Sequence, residues 1–66
     1  MSVAKVVEIS SASSKSFEDA IKKGIAKTAE TVDNIEGAWI KEQKVVVKNG
    51  AVKEYRVDMK VTFIVK

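Results

Sequence analysis

The stretch Val45-Val46-Val47-Lys48-Asn49-Gly50-Ala51-Val52-Lys53-Glu54-Tyr55-Arg56-Val57-Asp58-Met59-Lys60-Val61-Thr62-Phe63-Ile64-Val65 decides the fold. Asn49-Gly50 is a strong hairpin signal, because both central residues of a type I′ turn need φ > 0 and these two residue types adopt it readily. The dipeptide joins a strand expected over about 38–48 to another expected over about 52–66. The second of these alternates. Tyr55, Val57, Met59, Val61, Phe63 and Val65 share one face, which reads as core; Glu54, Arg56, Asp58, Lys60 and Thr62 share the other. Period-two alternation marks a strand with one face buried. At about 3.4 Å per residue such a strand reaches roughly 50 Å, further than one helix can cover. The excess implies packing on another subunit.

Upstream of the hairpin, Phe17, Ala20, Ile21, Gly24, Ile25, Thr28, Ala29, Val32 and Ile35 recur at steps of three and four. This is the stripe of an amphipathic helix, expected over about 17–34. Glu18 precedes Lys22 and Asp19 precedes Lys23 by four residues, the favourable order for helical ion pairs. Ser16 or Ser14 supplies the N-cap, since a serine hydroxyl can accept a bond from a free amide of the first turn. Gly24 lies inside the stripe, where glycine costs up to about 1 kcal/mol against alanine; close backbone approach is the reading that accounts for it. Asn34 and Gly37 mark the helix end. A short strand is expected over 3–9. Neither of its faces is clearly polar, which suits a strand covered on both sides. The serine-rich run 10–16 reads as a polar connection. The fold class is α+β: a β-α-β-β chain whose three-stranded antiparallel sheet wraps around one helix.

If the Asn49-Gly50 turn holds two residues, Gln43 faces Arg56, Lys41 faces Asp58, Trp39 faces Lys60 and Gly37 faces Thr62. All eight then lie on the sheet face away from the helix. A bulge would shift this register, and one residue of slip reverses the faces.

The 66 residues allow one domain, 1–66. A domain of this size buries only about 60 % of its unfolded surface, so it draws on disulfides, metals or oligomerisation. Cysteine and histidine are both absent. That excludes disulfides and thiolate zinc sites, and it removes the usual metal ligand and general base. Oligomerisation is left as the stabiliser, and an enzyme is not expected. The net charge of +3 is scattered among acids rather than gathered in a stripe, which argues against nucleic-acid binding. No apolar run approaches a membrane span and no signal-peptide pattern opens the chain; a cytoplasmic protein is expected. No glycine-rich phosphate loop or EF-hand spacing occurs. Trp39, on a polar strand face beside Lys41, Gln43, Arg56 and Lys60, can stack on a planar ligand or anchor a subunit contact.

Taken together, Lys5-Val6-Val7-Glu8-Ile9, the serine-rich connection, Ser16-Phe17-Glu18-Asp19-Ala20-Ile21, Thr31-Val32-Asp33-Asn34-Ile35, Tyr55-Arg56-Val57 and Lys60-Val61-Thr62-Phe63 resemble the dodecin family over nearly the whole chain. The resemblance implies a non-enzymatic ligand-binding and storage protein that assembles as a hollow homododecamer. In flavin-binding members a tryptophan stacks on the isoalloxazine ring and a glutamine hydrogen-bonds it. Those two positions fall on Gly37 and Arg56 here. With Trp39 and Gln43 they form the expected ligand-binding set for a flavin, FMN or riboflavin. Ile35 to Gln43 and the Tyr55-Arg56 pair look more like the calcium-dodecin branch; Glu42, Glu54 and Asp58 are the candidate metal ligands. The alternatives are a calcium-binding dodecin, or a structural or interaction module without a tight small-molecule ligand.

Overall fold

A computed structural model describes residues 3–66. Four elements follow in order: β1 (Val3–Ser13), α1 (Phe17–Thr28), β2 (Ile35–Lys48) and β3 (Ala51–Val65). The three strands form one antiparallel sheet in the order β1-β3-β2, with α1 packed on one face. The α+β, β-α-β-β expectation is met.

The hairpin forms where its chemistry places it. Asn49 and Gly50 have φ values of 53° and 75°, the left-handed pair of a type I′ turn. Ser16 caps α1 by accepting a bond from the Asp19 amide at 3.0 Å. The expected ion pairs close at 2.9 Å for Lys22–Glu18 and 3.1 Å for Lys23–Asp19. Asp19 also ties the helix to the sheet. The Ser13 hydroxyl, on a residue only 5 % exposed, donates to its carboxylate. That bond first, and Lys23 second, hold the Asp19 carboxyl below its ordinary pKa.

Three boundaries differ from the sequence reading: the end of β1, the end of the helix, and the start of β2, which lies at Ile35 rather than about Ala38. β1 continues through the serines to Ser13, because Ser10–Ser13 pair with Asp58–Tyr55 of β3 and the Ser10 hydroxyl bonds Asp58 at 2.7 Å. The helix stops at Thr28 rather than Asn34. There the Thr28 hydroxyl bonds the Gly24 carbonyl, and the amides of Glu30 and Thr31 reach back only three residues. Such bonds tighten and close a helix end. Asn34, at φ 61°, then turns the chain into β2.

The buried core is Ala20, Val57, Met59 and Val61, with Val7, Ile9, Phe17, Ile21, Ile25, Ile35 and Ile40 packed around it. Phe17 meets Tyr55 edge-on, with centroids 5.1 Å apart. Gly24 is buried where the helix crosses β1 and β3: a Cβ there would lie 2.8 Å from Met59 Cε and 3.0 Å from Ser11 Cβ. The molecule measures 52 × 19 × 13 Å, whereas a twelve-residue helix spans about 18 Å at 1.5 Å per residue. Most of the sheet therefore extends past the helix, and Val3, Val6, Val45, Val47, Val52 and Val65 stay exposed.

Candidate functional site

The register of β2 on β3 determines which side chains share the open face. Near the turn, Lys48 pairs with Ala51 and Val47 with Val52. Lys53 is then passed over, and Val46 pairs with Glu54, Lys44 with Arg56 and Glu42 with Asp58. Lys41 is passed over next, so that Trp39 pairs with Lys60 and Gly37 with Thr62. Each passed-over residue is a bulge, which steps the facing by one.

The consequences are specific. Gly37, Trp39 and Arg56 share the face away from the helix, as expected. Gln43 does not. It pairs with Val57, a core residue, so it belongs to the helix side of the sheet. Arg56 instead faces Lys44, and Asp58 faces Glu42 instead of Lys41. The single extra residue at Lys53 causes both changes, and the one at Lys41 restores the expected register at Trp39. Lys44 and Glu42 are thus members of this face that simple counting from the turn missed; the bulges that bring them there left no composition signal. Ser10 is a third, hidden because serines read as loop.

Trp39 is 74 % exposed, beside Ile40, Lys41 and Lys60 in a shallow depression. Lys41 Nζ lies 3.3 Å and Lys60 Nζ 3.9 Å from Glu8 Oε1, so one carboxylate serves both ammonium groups. At Gly37 the face is open: a Cβ there would meet nothing within 4 Å. A second depression of ≈ 430 Å³ is lined by Ser10, Glu42, Lys44, Arg56 and Asp58 among others.

The three candidate metal ligands do not converge. Glu42 and Asp58 oppose each other, but Glu54 pairs with the Arg56 Nε. Among the described residues no group of three or more such side chains is placed to hold a metal ion. Calcium takes six to eight oxygens, and Lys44 and Arg56 line the same depression. The donors of a single chain do not fit a calcium ion.

Comparison with known proteins agrees with this architecture over its whole length. The family model for dodecin matches residues 3–66. The chain belongs to the dodecin family. Among solved structures it is similar to a single-substitution mutant of the Thermus thermophilus dodecin, with 29 % identity and a TM-score of 0.94 over 100 % of this chain and 98 % of that one. A dodecin from Streptomyces davaonensis gives 25 % and 0.93, covering 98 % and 96 %. A calcium-chelating immunodominant antigen from Mycobacterium tuberculosis, a calcium dodecin, gives 31 % and 0.83, covering 97 % and 91 %. No curated protein sequence matches the chain. Among the described residues no helix is long and apolar enough to cross a membrane.

Proposed function

We propose that this dodecin is a non-catalytic subunit of a hollow homo-oligomer of twelve copies that binds a flavin on the open sheet face for storage. The observation that carries the reading is Trp39: an indole 74 % exposed on a sheet face that, among the described residues, no other element covers. A ring so placed offers a stacking surface for a planar ligand. It stands two positions along β2 from Gly37, where flavin-binding relatives carry their tryptophan, and on the same face. Lys60 is its cross-strand neighbour and Lys41 lies beside it. Those ammonium groups favour FMN, with its phosphate, over riboflavin. Arg56, in place of the family glutamine, is a donor only and cannot accept a bond from the flavin ring.

Assembly is supported by the balance of burial. Among the described residues, four fully buried apolar residues are a small core, against seven large hydrophobic side chains left exposed. The absence of histidine and cysteine supports storage over turnover.

The test is a fluorescence titration of FMN at fixed concentration with purified protein, paired with native mass spectrometry. Saturable quenching that is weaker for riboflavin and lost in Trp39→Ala is expected from a twelve-chain species. Absence of quenching at tens of micromolar protein refutes the flavin reading.

A second reading, calcium binding, draws on the opposed carboxylates of Glu42 and Asp58 and on the likeness to the calcium dodecin. It needs oxygens from a neighbouring copy. It predicts that a chelator lowers the melting temperature, because a ligand bound only to the folded state stabilises it.

A further inference from the structure

The pairing of β2 with β3 carries two bulges that cancel each other. Beside the turn, Lys48–Ala51 and Val47–Val52 keep the register that a two-residue turn sets. Further out, Ile40–Met59 and Trp39–Lys60 keep it again. Between these pairs, residues 42–46 sit one position out of that register against 54–58. Lys53 of β3 is left over at one end of the segment and Lys41 of β2 at the other. The bulge at Glu36 lies outside this segment. One spare residue on each strand is what a one-residue slip consumes. If the segment slides one position toward the turn, Val46 pairs with Lys53 and Lys41 with Asp58. No residue between the Ile40 and Val47 pairs is then passed over.

Little within the chain holds the segment where it is. β2 is an edge strand, so a slip breaks bonds to β3 alone and leaves the β1–β3 ladder intact. Register is strongly specified where one face of a strand is buried and weakly where both faces are polar and open. Glu42, Gln43, Lys44 and Val45 alternate between the two faces, yet all four are exposed. Among the described residues Glu42, Gln43 and Lys44 make no side-chain hydrogen bond or ion pair.

The two registers trade opposing terms. The observed one sets Lys44 opposite Arg56 and Glu42 opposite Asp58, and like charges directly opposite on a sheet are destabilising. The slipped one sets Gln43 opposite Arg56 and Lys41 opposite Asp58, which removes both repulsions and gives Lys41 and Lys53 ladder partners. Against it stands the reversal of faces that a one-residue slip imposes. Lys44 would replace Val45 beside Tyr55, and Glu42 would replace Gln43 beside the buried Val57. Those positions on β2 are open to water, so the two charged groups keep much of their hydration there.

We propose that residues 41–46 of β2 exchange between two registers on β3, the observed one and one shifted by a single residue, with the bulges at Lys41 and Lys53 as the stored slack. The slip turns Gln43 and Val45 to the face that carries Trp39 and withdraws Glu42 and Lys44 from it. The inference is independent of which ligand the protein stores. A ligand that binds one register better shifts the populations toward it.

The chain has no cysteine, so introduced pairs report the register. A disulfide needs Cα atoms within about 7 Å and Cβ atoms that do not point apart. Three double variants, each shown folded by circular dichroism, are oxidised as the full chain in its native assembly, and the intrachain disulfide is read from the mass of the separated chain. Lys44→Cys with Arg56→Cys reports the observed register. Gln43→Cys with Arg56→Cys reports the slipped one, because those two positions otherwise lie on opposite faces. Gln43→Cys with Lys60→Cys is joined in neither register and reports global opening. The 43/56 pair is expected to close about ten-fold faster than the 43/60 pair, since local opening costs less than global opening. Deleting Lys41 and Lys53 together removes the slack and fixes the observed pairing. In that background the 43/56 rate is expected to fall to that of the 43/60 pair, while the 44/56 pair still closes. Should the deletion variant fail to fold, Asp58→Lys replaces it: the change makes the row with Glu42 attractive and the row with Lys41 repulsive, and is expected to slow the 43/56 pair by about five-fold. A 43/56 pair that closes no faster than the 43/60 pair overturns the proposal. So does a 43/56 rate that survives removal of the slack, or in its place Asp58→Lys, because that behaviour marks fraying of the edge strand and not a shift of register.

Discussion

Replacing Gly24 by alanine sets two known effects against each other. In an ordinary helix interior, alanine gains about 0.5–1 kcal/mol over glycine. Here the added Cβ would lie 2.8 Å from Met59 Cε, 3.0 Å from Ser11 Cβ and 3.2 Å from Ser11 Oγ. The methionine methyl is the end of a flexible side chain and can swing aside. The serine Cβ is fixed to β1, so it decides the sign. Overpacking of a core typically costs about 1–3 kcal/mol, which outweighs the propensity gain and leaves a net loss of about 1 kcal/mol. For a domain this small that lowers the melting temperature by about 4–8 °C. The assay is thermal unfolding by circular dichroism at one fixed protein concentration, since any assembly ties stability to mass action. In a Ser11→Gly background the same change is expected to be neutral or stabilising, a coupling that a double-mutant cycle reads directly. A Gly24→Ala protein that melts higher than wild type refutes the reasoning, because helix propensity would then prevail and the helix–sheet distance would not constrain the site.

Ser16→Ala removes the hydroxyl that accepts the Asp19 amide and is expected to cost about 1 kcal/mol in denaturant unfolding; Ser14→Ala, at an exposed position, is expected to change little. Gly50→Ala forces a Cβ into φ 75° and is expected to cost about 1–2 kcal/mol, whereas Gly50→Asn is expected to be milder in the same measurement. Asp19 gives the chain a defined acid sensitivity. Its folded pKa is lowered from 3.8 by the Ser13 hydroxyl and then Lys23, so its contribution is present above the unfolded pKa and lost as pH falls through the folded one. Wild type and Asp19→Asn are therefore expected to differ in melting temperature at neutral pH and to converge in acid as pH falls below the folded value; a difference that persists unchanged there counts against the assignment.

Much of the architecture was legible because it rests on local chemistry. The Asn49-Gly50 turn, the Ser16 cap, the two ion pairs of the first helical turns and the apolar stripe of α1 each depend on residues within a few positions of one another. Gly24 was legible as a point of close approach too, because a glycine inside an apolar helical stripe gives up helix propensity and packing area that only a crowded neighbour would justify; Ser11 and Met59 are that neighbour. The length of β1 was not legible. Serines have little strand preference of their own, and Ser10–Ser13 are extended because β3 offers them partners. The helix end was missed for a related reason: the apolar period continues to Ile35, but the chain there is claimed by pairing with Phe63.

The candidate site divides along the same line. That Trp39, Gly37 and Arg56 share one face was expected from alternation and turn length, and it holds because the bulges at Lys53 and Lys41 offset each other. Which charges join them did not follow, because the bulges at Lys41 and Lys53 step the register. Each moves one strand by a single residue, and that step turned Gln43 to the helix side while setting Glu42 beside Asp58. By itself, the sequence determined the elements and their order, since those arise from period, caps and turn chemistry. Only the tertiary structure decided the register, because a one-residue slip leaves local propensities almost unchanged and is settled by what both faces of the sheet must pack against.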